Sequence, residues 1–231
     1  MIQINRNGST SLLTLHLKQR SWSIPTEWIG ILFLTIIYVV GLVGIAWPLS
    51  DQFILLTPVN LLVSLAVVLL FHPRWRRATP LILIVSYLVG FFAEWFGVQT
   101  GLLFGEYHYG PVLGPQWQGT PFMIGVNWML LVYCSGITVN HLFGSRPWWG
   151  RGILAALLMV VLDVLIEPVA MELNFWQWAG NKVPLQNYLG WFLVALPLTL
   201  AFSRWHSGVR NKVAVALFLW QFLFFLILFL V

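Results

Sequence analysis

The stretch that decides the fold runs from Ile153 to Leu173, ILAALLMVVLDVLIEPVAMEL, apolar except for Asp163, Glu167, Pro168 and Glu172. As a helix rising 1.5 Å per residue, a run of this length is about 30 Å long, the thickness of a bilayer's hydrocarbon core. Six further apolar runs flank it: Trp28 to Trp47, Phe53 to Phe71, Leu81 to Val98, Pro121 to His141, Tyr188 to Phe202 and Val213 to Val231. Over all 231 residues, 59% are hydrophobic and only 8% charged, too few ionisable groups to cover a soluble globule of this size. The pattern predicts an all-α polytopic integral membrane protein of about seven transmembrane helices. Residues 26–231 form a single transmembrane domain, preceded by a polar cytoplasmic arm over 1–25.

Alternate connectors belong to opposite sides of the membrane, and this assignment separates the basic residues. One side receives Arg6, Lys18, Arg20, Arg74, Arg76, Arg77, Arg146, Arg151, Arg204, Arg210 and Lys212, while the other receives only Lys182. That bias puts the N-terminus in the cytoplasm and the C-terminus outside, and an even number of spans would destroy it. The formal charge of +5 does not point to nucleic acid, because the basic residues are scattered through connectors and form no stripe interleaved with aromatics. The first apolar run has full spanning length and no small-residue cleavage site, so it is expected to stay as a helix and not to be removed as a signal.

Two segments depart from the generic pattern. The sixth run is short and contains Pro197, so it needs Leu185 to Asn187, or a kink, to cross. The long connector from Gln99 to Thr120 reads GLLFGEYHYGPVLGPQWQG over 101–119. Its Gly, Pro and aromatic content suggests an ordered re-entrant or lid segment more than a floppy tether.

Ionisable groups in a membrane helix cost a few kcal/mol each on insertion scales, so those that persist are functional candidates. Glu94, Glu106, Asp163, Glu167 and Glu172 all fall toward the outer side. Asp163 and Glu167 are four residues apart and share one helical face. Two carboxylates that close in a dry place do not ionise together readily, which makes the pair a candidate general acid. Asn127, Gln177, Asn181, Gln186 and Asn187 lie at the same level and could hold a water. The structural alternative is that each acid bonds a neighbouring Trp or Asn and fixes packing. Several of the fourteen tryptophans, among them Trp47, Trp95, Trp117, Trp128, Trp176, Trp178 and Trp191, fall near the outer interface, where belt and pocket roles are both open.

Several chemistries are disfavoured. The five histidines are dispersed, without the clusters of a di-iron desaturase, and the one cysteine, Cys134, sits in an apolar run. The last span has no lysine for a Schiff base. No Asp-rich element for a magnesium diphosphate, no nucleophile elbow and no phosphate-binding glycine loop is present.

Four blocks carry a family resemblance: GFFAEWFGVQTGLLFGEYHYGPVLG (90–114), GTPFMIGVNW (119–128), LDVLIEPVAMELNFWQWAG (162–180) and PLQNYLGW (184–191). In them the chain resembles the CruF-type carotenoid biosynthesis membrane proteins, the carotenoid 1′,2′-hydratases that include bisanhydrobacterioruberin hydratases. The resemblance implies addition of water to the terminal double bond of an acyclic carotenoid end group, without a cofactor, in a bacterial or archaeal cell membrane. It also implies a carotenoid substrate, surrounding membrane lipid and association with other carotenoid-pathway enzymes.

Protonating a trisubstituted alkene yields a tertiary cation that water captures, so the chemistry asks for an acid, a cation-stabilising pocket and a water-positioning group. Asp163 and Glu167 are the candidate acid pair. Glu94 is the candidate for water positioning, with Asn127 or Asn187 nearby. Glu106, Tyr107, Tyr109, Asn127, Trp128, Glu172, Asn187, Tyr188 and Trp191 complete the candidate substrate- and water-binding set. A proton-coupled transporter and a non-catalytic carotenoid-binding subunit are the alternatives. Against the transporter, the inner halves of the spans carry almost no polar residues.

Overall fold

The computed structural model describes residues 26–46 and 50–231; the polar arm over 1–25 and the end of the first run at Trp47 lie outside them. Seven helices long and apolar enough to cross a membrane follow one another along the described chain. They are α1 (Thr26–Ala46), a broken second span made of α2 (Ser50–Ile54) and α3 (Thr57–Leu70), α4 (Ala78–Thr100), α5 (Phe122–Leu142), α6 (Trp148–Glu172), α7 (Leu185–Trp205) and α8 (Lys212–Leu230). The protein is therefore an all-α polytopic membrane protein.

Proline sets several of the helix starts. Pro121, Pro147 and Pro184 stand immediately before α5, α6 and α7 with extended ψ values of 136°, 153° and 148°. A fixed φ suits them to a helix entry, and the missing N–H is no loss there. The sixth crossing consequently begins at Leu185, three residues earlier than the apolar run alone indicates, and Pro197 lies inside it. Pro58 at the start of α3 likewise breaks the second span after α2. At α8 the cap is Asn211, whose Oδ1 accepts from the backbone N–H groups of Val213 and Ala214 at 3.1 and 3.2 Å.

α5 is the hub: 78% of its apolar window lies inside the bundle, against 22% for α1. In lipid there is no hydrophobic drive to bring helices together, so association relies on close packing through small residues and on interhelical hydrogen bonds. α6 and α7 show both. A Cβ on Gly152 would stand 2.8 Å from Leu200 Cα, so only glycine admits this approach. Beside it Thr199 Oγ1 donates to the Gly152 carbonyl at 2.9 Å.

The two ends of the bundle are tied differently. At the end bearing the arginine-rich connectors, His72, Thr79, Tyr133, His206 and Asn211 form a buried polar chain. Tyr133 Oη meets His72 Nδ1 at 2.7 Å and accepts from Asn211 at 3.2 Å, while Thr79 Oγ1 lies 3.0 Å from His206 Nε2. Burial pushes both imidazoles below the usual histidine range, and for His206 the neighbouring His72 adds to it. Arg151, read from sequence as a connector residue, is inside α6 and buried, its Nη2 donating to the Ser203 carbonyl and Ser207 Oγ.

Among the described residues, the opposite end carries four short strands that the helical pattern did not predict. β1 (Tyr107–Tyr109) pairs antiparallel with β4 (Trp176–Trp178), and β2 (Gln116–Trp117) with β3 (Thr120–Pro121). The connector after α4 is thus an ordered cap.

Two outcomes are expected from this architecture. Seven crossings with the basic asymmetry should place the N-terminus in the cytoplasm and both the Tyr109 loop and the C-terminus outside; reporter fusions at both termini check this, and a shared compartment contradicts it. Gly152→Ala should destabilise the protein by about 1–3 kcal/mol, since the clash is with helix backbone that cannot step aside. Gly150→Ala, whose Cβ would lie 3.7 Å from Pro147, should be silent in the same thermal denaturation in detergent, and equal melting of the two variants contradicts the packing argument.

Candidate active site beneath the aromatic ladder

Three carboxyl groups lie buried beneath the β1–β4 ladder: Glu94 from α4, and Asp163 and Glu167 from α6. Successive strand residues point to opposite faces, so Tyr107 and Tyr109 share one face of β1 as Trp176 and Trp178 share one face of β4. The register sets Tyr107 opposite Trp178 and Tyr109 opposite Trp176, with ring centroids 4.8 and 5.9 Å apart. The two tyrosines turn to one acid and the two tryptophans to another.

Glu94 Oε2 accepts from Tyr107 Oη at 2.6 Å and from Tyr109 Oη at 2.8 Å, and Glu94 Oε1 accepts from Trp128 Nε1 at 2.9 Å. Burial first, and then the adjacent Glu94, push both phenols well above the ordinary tyrosine range, so they remain O–H donors. Gly90 makes room for this arrangement, because a Cβ there would stand 2.4 Å from Trp128 Cβ. Trp128 in turn stacks on Trp191 of α7, centroid to centroid 4.4 Å.

Glu167 Oε2 accepts from Trp176 Nε1 at 2.9 Å and Trp178 Nε1 at 2.6 Å. Its other oxygen accepts from Asn187 Nδ2 at 2.9 Å, and the same amide nitrogen donates to Asp163 Oδ2 at 2.8 Å. One amide with two hydrogens therefore clasps both members of the i,i+4 pair. Asp163 Oδ1 is buried and has no hydrogen-bond partner among the described residues. Asn187 reaches this position because α7 starts early, which places it in the first turn and buried.

Glu94, Tyr107, Tyr109, Glu167, Asn187 and Trp191 face a common cavity of about 10 Å³, closed by Ile124, Trp176 and Trp178. That is the size at which a cavity admits a single water. Polar groups line its walls, which gives such a water several partners.

The candidates from sequence divide on this geometry. Glu94, Asp163, Glu167, Tyr107, Tyr109, Trp128, Asn187 and Trp191 are brought together. Asn127 is one residue from Trp128 but lines a separate, mainly apolar cavity next door. Tyr188 is partly buried and lines an open depression with Lys182 and Pro184. Glu106 and Glu172 are exposed. Trp176 and Trp178, which sequence left between belt and pocket, donate directly to Glu167; the signal for them is the alternation of Trp-Gln-Trp, which mirrors Tyr-His-Tyr at 107–109. Among the described residues, no three His, Cys, Asp or Glu side chains converge as metal ligands would.

A family model described as carotenoid biosynthesis protein matches residues 53–231. Bisanhydrobacterioruberin hydratase from Haloarcula japonica is 32% identical over 150 residues, which cover 61% of this chain and 50% of that protein. The matched region thus spans about half the length of this curated relative. No solved structure matches. All four helices that supply the site, α4 to α7, fall inside the family match, and this chain belongs to the carotenoid biosynthesis protein family.

Proposed function

We propose that the protein is a carotenoid hydratase that adds water to the terminal double bond of an acyclic carotenoid end group, such as that of lycopene, γ-carotene or a bisanhydrobacterioruberin-type chain. The observation that carries this reading is the pairing of a buried two-carboxyl unit with a water-sized cavity and a third carboxylate across it. The name of the Haloarcula japonica relative supports the reaction class.

The acid is the Asp163–Glu167 pair, sharing one proton because like charges held on one amide in a dry site resist joint ionisation. Glu167 faces the cavity and Asp163 sits behind it. In the first step a C–H bond forms at the less substituted alkene carbon, using the π electron pair and the acid's proton. The cation left on the tertiary carbon lies among the faces of Trp176, Trp178 and Trp191, whose ring quadrupoles and the carboxylate charge favour it in a low-dielectric pocket. In the second step the cavity water forms a C–O bond and gives a proton to Glu94. Return of that proton from Glu94 to the pair, through the next water, restores the resting state, and the net change is one water added. Glu94's three donors suit an acceptor that orients the water before it takes the proton.

The catalyst needs only its own side chains, substrate and water, in the cell membrane of a bacterium or archaeon. Expressed in a host that accumulates an acyclic carotenoid, it should convert the pigment to a product heavier by one water, read by mass spectrometry. Glu167→Gln and Asp163→Asn should each lower hydration by about 10²–10⁴-fold at matched levels of folded protein, the range general acids contribute. Glu106→Gln and Glu172→Gln, both in water already, should retain it. Near-normal hydration by both amide variants of the pair removes it as the acid.

A further inference from the structure

A second cavity, of about 90 Å³, abuts the acid pocket and shares Ile124 and Trp176 with it. α1, α3, α5, α6 and α8 wall it, and flat or branched apolar groups dominate: Tyr38, Leu61, Ile166, Phe175, Phe224 and Phe225. Trp176 stands at the junction, its N–H on Glu167 and its side chain on both cavities. In the other direction, this cavity shares Tyr38, Ile45, Thr57, Asn60 and Phe224 with a groove of about 280 Å³ between α1 and the α2–α3 break. The outer wall of that groove faces the lipid, with Ile36, Val40, Leu56 and Val59 each about half exposed. The three spaces form a series from bilayer to acid, closing down as they go.

This series is more than loose packing. A packing void has apolar walls, whereas Asn127 and Gln221 line the middle cavity, and Gln221 Oε1 is buried without a partner among the described residues. The groove also opens where the second span breaks, at a pair of leucines ahead of Pro58, so the helix that borders it is interrupted there.

We propose that these spaces are the binding channel of a linear isoprenoid chain, which enters sideways from the bilayer between α1 and α3 and brings its terminal alkene to Glu167 at the Ile124–Trp176 junction. The inference rests on the hydratase reading for the chemistry at its inner end. A saturated lipid tail would fit the groove but offers no double bond to the acid. The aromatic walls suit a flat conjugated chain, which packs on ring faces without losing rotational freedom. The entry also accounts for how a substrate with no affinity for water reaches an acid sealed beneath the β1–β4 ladder: it never leaves the hydrocarbon.

The test uses the full-length protein in membranes of a host that accumulates a linear C40 polyene. Gly41 lines the groove, where a Cβ would stand 3.5 Å from Phe224, so Gly41→Phe fills the entry from α1 and Val63→Phe fills it from α3. Val43→Phe, on α1 but outside the groove and exposed, is the control. In the Glu167→Gln background, polyene should co-purify with the protein, and adding either blocking substitution should cut bound pigment at least tenfold, while Val43→Phe leaves it unchanged. Melting curves in detergent exclude misfolding, and the two blocks act from different helices, so failure of one to fold leaves the other. Hydration by the otherwise unaltered enzyme should fall at least tenfold with each block. Pigment bound through Gly41 and Val63 without any water addition supports the channel and overturns the hydratase reading. Normal hydration by both folded blocked proteins, or purification of the Glu167→Gln protein with membrane lipid and no pigment, overturns the channel.

Discussion

The site depends on one pairing: three residues of β1 against three of β4, which hang four aromatic donors over two buried carboxylates. A carboxylate in a dry bundle is costly unless its oxygens are satisfied, and hydrogen bonds to a charged acceptor contribute about 1.5–3 kcal/mol each. Glu94 and Glu167 each receive three donors, and two of each three come from the ladder. Phenol and indole are suited to this place because they bring apolar bodies that seal the end of the bundle together with a single polar atom that points down. The same contact thus excludes bulk water and satisfies the acids.

The ladder can only work if the helices beneath hold their acids at one level. α6 supplies two of them a turn apart, and α7 supplies the amide that joins them. Gly152 and Thr199 draw these helices together some three turns from the site, while Pro184 sets where α7 begins. On the other flank, Gly90 lets Trp128 lie against α4 and reach Glu94, and Trp191 stacks on it from α7. Glu94 and Glu167 are therefore each held from two other elements, and Asp163 from α7 through the shared amide, which fixes the three acids relative to one another.

The far end of the bundle solves the same problem with different groups. His72, Thr79, Tyr133, His206 and Asn211 bond one another where five helices meet, with no carboxylate among them, and only His206 Nδ1 of the group is buried without a partner among the described residues. Neutral imidazoles and hydroxyls tie helix ends at low desolvation cost, and the buried carboxyl groups among the described residues, Glu94, Asp163 and Glu167, all lie under the ladder at the other end.

Much of this was legible along the chain, for reasons that can be named. Spanning length and the scarcity of charge are one-dimensional properties, so seven crossings followed from counting, and burial of Glu94, Asp163 and Glu167 followed from their place inside apolar runs. The four-residue spacing of Asp163 and Glu167 sufficed to put them on one face. What the chain could not reveal is contact between segments far apart in sequence. Tyr107 and Trp178 are 71 positions apart, and only the antiparallel register of β1 and β4 makes them neighbours. Asn127 and Trp128 are adjacent, yet a helix turns each residue about 100° from the last, so one faces the apolar cavity and the other Glu94. Glu106 and Glu172 looked like Glu94 and Glu167 by level, but lie exposed because each stands just past the end of its apolar run or at its last turn, where the chain turns outward. Sequence alone determined the membrane architecture and the short list of acids; the tertiary fold decided which acids meet, because that depends on where strands pair and which way each helix is rotated.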